Sequence, residues 1–219
     1  MTPYTDARLH CVEAMPSTFA KLHHASQTLG WQDTFVVHHA AALDQNGVIL
    51  FPDQPQLPGY ESMGLEDCAV SPQLCQNVTV TTLDAFYVEK VLPLQQQKQQ
   101  PNFADNSVVD YLSIDVEGFD WAVLRGGKGA LTKTRYVEFE VHNKGLWKEV
   151  TLETAILSLR AQNFWCYYLG TAGRLWRLTD CMTGPGKQVW SNVGCVNVPL
   201  APHLAQRMEE VFLHTIGNS

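Results

Sequence analysis

The chain has 219 residues, 45% hydrophobic and 17% charged, which suits one full domain or two small ones that bury about 70% of their unfolded surface. So low a charge with so much apolar character excludes a generic disordered chain. Fifteen Lys and Arg against twenty-two Asp and Glu give a net charge of -7, and without a long basic stripe this argues against a nucleic-acid partner held by its phosphates.

The first predicted strand covers residues 9–14 and ends at Met15-Pro16-Ser17. Ser17 can cap a helix reaching about residue 29, anchored by Phe19, Leu22 and Leu29. Gly30 supplies its stop. Residues 34–42 form a second strand; Asn46-Gly47 then marks a turn, and 48–51 return as a short strand. A strand over 78–82 leads into a helix that starts at Leu83-Asp84 and runs to about residue 91. The patch QQQKQQ over 95–100 reads as a surface linker or a ragged helix end.

Residues 108–114 are the clearest buried strand. Asp115-Val116-Glu117-Gly118 forms its exit, and a helix over about 119–124 is stopped by Gly126-Gly127. A strand over 136–141 carries the polar tail His142-Asn143-Lys144-Gly145. Leu152, Ile156 and Leu159 repeat at helical spacing over 152–161. Strands near 165–169, 175–178 and 193–198 follow, with Gly184-Pro185-Gly186 as a turn and a last helix over 204–212. Strands alternating with crossover helices predict an α/β fold in a single domain. Its sheet is expected to be mostly parallel, with an antiparallel hairpin at one edge.

No run approaches the roughly 18 apolar residues of a spanning helix. The opening MTPYTDARLH has neither the basic nor the apolar stretch of a signal peptide, so localisation is cytoplasmic by default. Cys11, Cys68, Cys75, Cys166, Cys181 and Cys195 include no CxxC pair and read as reduced, partly buried thiols, with a secreted disulfide protein as the alternative. Asn77-Val78-Thr79 fits the pattern of a glycosylation acceptor, but that pattern needs a secretory route, and the missing signal argues against it.

Ligands of open α/β sheets bind beyond the carboxyl ends of the strands. Glu13 closes the first strand, where a carboxylate can accept both hydroxyls of a ribose; the alternative is a solvated acid. Asp115, Glu117 and Asp120 crowd one exit, where they repel each other and lose hydration. They read as a ligand or metal site, or as an acidic cap on the following helix. Glu138, Glu140 and His142 alternate and share one face. Glu140 and His142 are expected to reach the cleft of Asp115, and Glu138 to pair with a neighbouring Arg or Lys. His142 could take a proton from a substrate hydroxyl, or it could be a packing histidine. The pairs His23-His24 and His38-His39 diverge on any regular element and make poor chelates. No HExxH, GxSxG or GxxxxGK segment occurs.

Five segments then carry a signature in order: VEAMPSTFAKL (12–22), TTLDAF (81–86), YLSIDVEGFDWAVLRGG (111–127), YVEFEVH (136–142) and WSNVGCVN (190–197). Together they resemble the FkbM family of S-adenosylmethionine-dependent methyltransferases over about residues 9–198. The resemblance implies a Rossmann-like methyltransferase sheet, S-adenosyl-L-methionine as cofactor, and O-methylation of a hydroxyl on a sugar or other small molecule. By position it implies that Glu13 holds the cofactor ribose and that Asp115 lies at the fourth strand beside cofactor and methyl-transfer cleft. Glu117 and Glu140 would lie near the acceptor, and His142 at its edge. Residues 39–43 would flank the adenine, with Asp67 near it. No metal ligand set is implied.

Two departures from the family follow. Ser113 stands where the family commonly has Lys, which removes a cation beside Asp115. The family's domain begins with a strand and a glycine-rich cofactor loop, whereas the first recognisable element here corresponds to the second strand. The expectation is an N-terminally truncated sheet whose central edges would be left unpaired. Three outcomes follow: the chain is a fragment of a longer protein, which is the favoured reading; the strands close up into a smaller sheet with impaired cofactor binding; or another chain supplies the missing strand. Two other functions stay open: a catalytically inactive interaction domain, and a metal-dependent hydrolase built on Asp115, Glu117, Glu140 and His142. Neither the acceptor nor the oligomeric state can be read from these residues.

Overall fold

In the computed structural model, which describes residues 7–53, 65, 67–93, 108–182 and 190–217, the strands fall into three sheets rather than one. The glutamine patch over 95–100 and the turn at 184–186 lie outside the described residues. The architecture is mixed α/β.

The first sheet pairs β1 (Leu9–Glu13) in parallel with β2 (Phe35–His39), in register from Leu9 opposite Phe35 to Glu13 opposite His39. Helix α1 (Pro16–Thr28) makes the crossover. Pro16 suits the first helical position because it has no N–H to leave unpaired there. Ser17 is not the cap. Met15 holds that position without a side-chain bond, and the Ser17 N–H donates to Asp53 Oδ1 at 3.1 Å. Gly30 ends the helical segment in the left-handed region at φ 69°, as expected.

The single strand expected over 34–42 breaks at Ala40. The chain leaves β2 there and starts β3 (Ala41–Leu43) in a different sheet. β4 (Gly47–Pro52) follows the Asn46-Gly47 turn, yet β3 and β4 do not pair with each other. β5 (Cys75–Thr82) lies between them, parallel to β3 and antiparallel to β4. Asn46 serves this arrangement by accepting the Thr82 N–H at 2.8 Å. The short helix α2 (Asp67–Val70) is tied to β5 by the Cys68–Cys75 disulfide.

Helix α3 (Leu83–Phe86) is capped by Thr82 Oγ1, which accepts the Ala85 N–H at 3.1 Å, and it runs on as π-helix over Tyr87–Val91. Asp84 accepts the N–H groups of Gly129 and Ala130 at 3.1 and 2.7 Å, at the start of the short helix Lys128–Leu131. A Cβ on Gly126 would collide with the Leu43 carbonyl, and one on Gly127 would meet Leu83 Cδ2 at 2.5 Å. The Leu-Asp and Leu-x-Gly-Gly motifs are therefore joinery between the three-stranded sheet and its neighbours.

The third sheet has the order β6 (Leu112–Ile114), β7 (Tyr136–Val141), β10 (Ser191–Asn197), β8 (Phe164–Leu169), β9 (Leu175–Arg177). β6 is parallel to β7, β10 is antiparallel to both its neighbours, and β8–β9 is the antiparallel edge hairpin foreseen from the sequence. The strand expected over 108–114 is shorter, with Val109 only bridged to Thr134. Helices α4 (Asp120–Arg125), α5 (Lys128–Leu131), α6 (Leu152–Arg160) and α7 (Pro202–Gly217) complete the described elements. The main core joins Val137, Phe139 and Val141 of β7 to Trp147, Leu131 and the inward face of α6, Leu152, Ile156 and Leu159. Each fully buried aliphatic or aromatic side chain there contributes about 1.5–3 kcal/mol.

Cys166 and Cys195 stand directly opposite each other on β8 and β10 and form a fully buried disulfide. With Cys68–Cys75, this corrects the reading of six reduced thiols; Cys11 and Cys181 are free. Spacing along the chain could not show that two cysteines face each other across a ladder.

The strands have not closed up into one sheet. Among the described residues β1 pairs only with β2, and β6 only with β7. Among the same residues, no helix is long and apolar enough to cross a membrane.

Candidate functional site

β1 and β6 belong to separate sheets, yet their carboxyl ends open onto one cavity of about 160 Å³. Glu13, Asp115 and Glu117 supply its acids; Val12, Ala41, Phe51, Leu65 and Phe119 are among its apolar walls. Residues 40–43 line it as well, which brings most of the 39–43 segment to the same place.

Glu13 is oriented from its own chain, with Oε1 accepting the Met15 N–H at 2.7 Å. Burial pushes its carboxyl pKa up, opposed by the Met15 and Ala14 N–H groups and by His39, its register partner. An acid turned at a strand end can accept hydroxyl donors.

Glu117 is held differently. It adopts φ 53° and Gly118 φ 99°, two left-handed residues in succession. A non-glycine residue there is uncommon, and such strain at a strand exit points to function. The cause lies in the loop after β7. A Cβ on Gly118 would lie 2.7 Å from the Lys144 carbonyl oxygen, and one on Gly145 would lie 2.6 Å from the Gly118 oxygen. The Leu146 N–H donates to the Gly118 oxygen at 2.9 Å. The two exit loops therefore interlock backbone to backbone, and Lys144 Nζ reaches Glu117 Oε2 at 3.0 Å.

Glu140 and His142 do not line this cavity. Glu140 Oε1 accepts the Trp190 indole N–H. Its Oε2 lies 3.4 Å from His142 Nε2, a contact without hydrogen-bond geometry, so that buried nitrogen has no hydrogen-bond partner. The structure does not bring either side chain into the Asp115 cavity; the acid it places beside the backbone of Glu140 is Asp120. That residue is fully buried at the start of α4, and its Oδ1 accepts the Glu140 N–H at 3.3 Å. Its Oδ2 is buried without a partner. Burial pushes its pKa up to about 7, with the charges of Asp115 and Glu140 adding to the rise. A carboxyl that titrates near neutrality between two acids is a candidate for proton handling. Sequence reasoning noted Asp120 only as a third acid. The available signal was its position heading the apolar run Trp121–Leu124, which leaves its side chain little water.

Glu138 departs from expectation. Its partners are the hydroxyls of Tyr111 and Tyr136, each donating to Oε2 at 3.4 Å, and among the described residues no Arg or Lys pairs with it. The two rings stack at 5.6 Å and bring both hydroxyls to the same carboxylate. Ser113 is exposed on the open side of β6. Asp67 lies on α2, with its side chain outside what is described. No group of three or more His, Cys, Asp or Glu among the described residues is arranged to hold a metal ion.

A family model for the methyltransferase FkbM domain matches residues 5–164, well over half of the chain. No curated protein and no solved structure matches it.

Proposed function

The chain belongs to the FkbM methyltransferase family, and from that premise we propose that it is an S-adenosylmethionine-dependent O-methyltransferase acting on a hydroxyl of a sugar or other small molecule. The observation that carries the reading is the meeting of Glu13 with Asp115 and Glu117 in one cavity, from strands of two different sheets.

The residues suit the cofactor's chemistry. Glu13, turned at the strand end by the Met15 N–H, can accept ribose hydroxyls. The acids Asp115 and Glu117 favour a positively charged sulfonium. Ala41, Phe51 and their neighbours offer an apolar wall to a flat base, and Asp67 is assigned to the adenine end by the family resemblance. When bound, the cofactor supplies an electrophilic methyl group.

The chain's own residues do the rest. Asp115 and Glu117 bind and orient the acceptor, and alignment of the attacking oxygen is itself a large part of the rate effect. Lys144 keeps the Glu117 carboxylate in place. The hydroxyl proton passes to one of these carboxylates. Asp120, buried beside the charges of Asp115 and Glu140 and titrating near neutrality, is the candidate to hold it next.

Calorimetric titration with S-adenosylmethionine tests the reading. Glu13→Ala and Asp115→Asn should each weaken binding at least about tenfold, a loss of about 1.4 kcal/mol. Wild-type affinity in both variants overturns it. A catalytically inactive interaction domain is the second reading. It is favoured by a cavity of about 160 Å³, against the roughly 300–1,000 Å³ common for ligand pockets. It predicts a folded chain that does not bind the cofactor.

A further inference from the structure

We propose that Asn77 is a modification site that carries an N-linked oligosaccharide. The inference does not depend on the methyltransferase reading. Asn77-Val78-Thr79 lies on β5, where side chains alternate between faces. Val78 and Val80 point inward and are almost completely buried, while Asn77 and Thr79 are exposed. Both groups that the acceptor pattern requires, the Asn amide and the Thr hydroxyl two residues on, therefore stand on the open face. The pairing of β5 with β3 begins only at Val80, so among the described residues Asn77 has no strand on that side.

Two independent observations point to occupancy. The chain holds two disulfides, Cys68–Cys75 and Cys166–Cys195, and the first of these ends two residues before Asn77. Structural disulfides form and persist in oxidising compartments, which is also where an acceptor asparagine meets its donor. The objection that the pattern needs a secretory route is answered by the chain's own chemistry.

The surroundings of Asn77 are the second observation. On β4, Leu50 stands opposite Asn77 and Val48 opposite Thr79, and they are 48% and 65% exposed. Large apolar side chains beside one another on an open face are a liability for a soluble protein. A bulky, solubilising sugar rooted between them would cover both.

The donor is an oligosaccharide carried on a lipid diphosphate. The Asn77 Nδ2 attacks the anomeric carbon. A nitrogen–carbon bond forms, the bond from that carbon to the phosphate oxygen breaks, the lipid diphosphate leaves, and the amide loses one proton.

The test is peptide mapping by mass spectrometry on the protein isolated from its own organism, before and after treatment with a peptide N-glycosidase. The expected result is a hexose-containing mass on the Asn77 peptide, with conversion of Asn77 to Asp on enzymatic release. Asn77→Gln and Thr79→Ala, expressed in the same cells, should both lose the sugar completely. An unmodified Asn77 peptide overturns the proposal, whether the four paired cysteines prove oxidised or reduced. A Thr79→Ala protein that keeps the sugar overturns it as well.

Discussion

Replacing Asp120 by Asn should remove a pH dependence of stability that the wild-type chain carries. The carboxyl ordinarily titrates near 3.8 and is pushed up to about 7 in the folded chain, chiefly by burial. Between those values the folded state holds a proton that the unfolded state has released, so stability falls as pH rises. The favourable contribution is complete below the unfolded value and is lost as pH climbs through about 7. From about pH 5 to about pH 8 the loss spans about two pKa units, or roughly 2–3 kcal/mol. Asn keeps an oxygen for the Glu140 N–H but cannot ionise. Its NH₂ takes the position of the unpartnered Oδ2 and adds an offset that does not vary with pH. Urea unfolding of both proteins at the two pH values measures the effect. The wild type should lose roughly 2–3 kcal/mol relative to the variant on going to the higher pH. A difference constant within about 0.5 kcal/mol, near the scatter expected of ordinary surface changes, would refute the argument.

Gly145→Ala forces an alanine to φ 53° and brings its Cβ within 2.6 Å of the Gly118 oxygen. The expected cost is about 2–4 kcal/mol by thermal unfolding, with weaker cofactor binding as the Glu117 loop is pushed away. Gly30→Ala is the matched control, with φ 69° and open space around the new Cβ; it should cost only about 1–2 kcal/mol. Equal losses in the two variants would count against the interlocked loops. Cys195→Ser opens a disulfide that spans 29 residues, and chain entropy sets its cost at about 3–4 kcal/mol in denaturant unfolding under non-reducing conditions. An unchanged midpoint would show that the bridge adds nothing to the folded state.

The residues show why some features were legible and others were not. β7 could be read because Val137, Phe139 and Val141 alternate with Glu138 and Glu140, and both faces kept that pattern. α6 could be read because Leu152, Ile156 and Leu159 fall on one face, and all three are buried. The break between β2 and β3 could not. Residues 34–42 are one run without Gly or Pro, and what divides them is β5 pairing with Ala41–Leu43. That Glu13, Asp115 and Glu117 line one cavity was implied by the family resemblance; their positions at strand exits alone left Glu13 open as a solvated acid. The position of Glu140 did not follow, because its carboxylate is taken up by the indole N–H of Trp190, distant in sequence. Glu138 was expected to pair with a neighbouring Arg or Lys; among the described residues the hydroxyls of Tyr111 and Tyr136 reach its carboxylate instead.

β10 is the last strand made, yet it lies between β7 and β8. As the chain leaves the ribosome, β7 and β8 therefore wait with facing edges that have nothing to pair with. They cannot substitute for each other without excluding the strand still to come. Cys166 must likewise stay unreacted until Cys195 arrives. Closure of the largest sheet is a late, long-range event, which makes for slow folding and a period of exposed edges. A nascent chain halted before Ser191 would offer those edges to any neighbouring strand, so the cell's folding helpers have most to do until β10 has emerged.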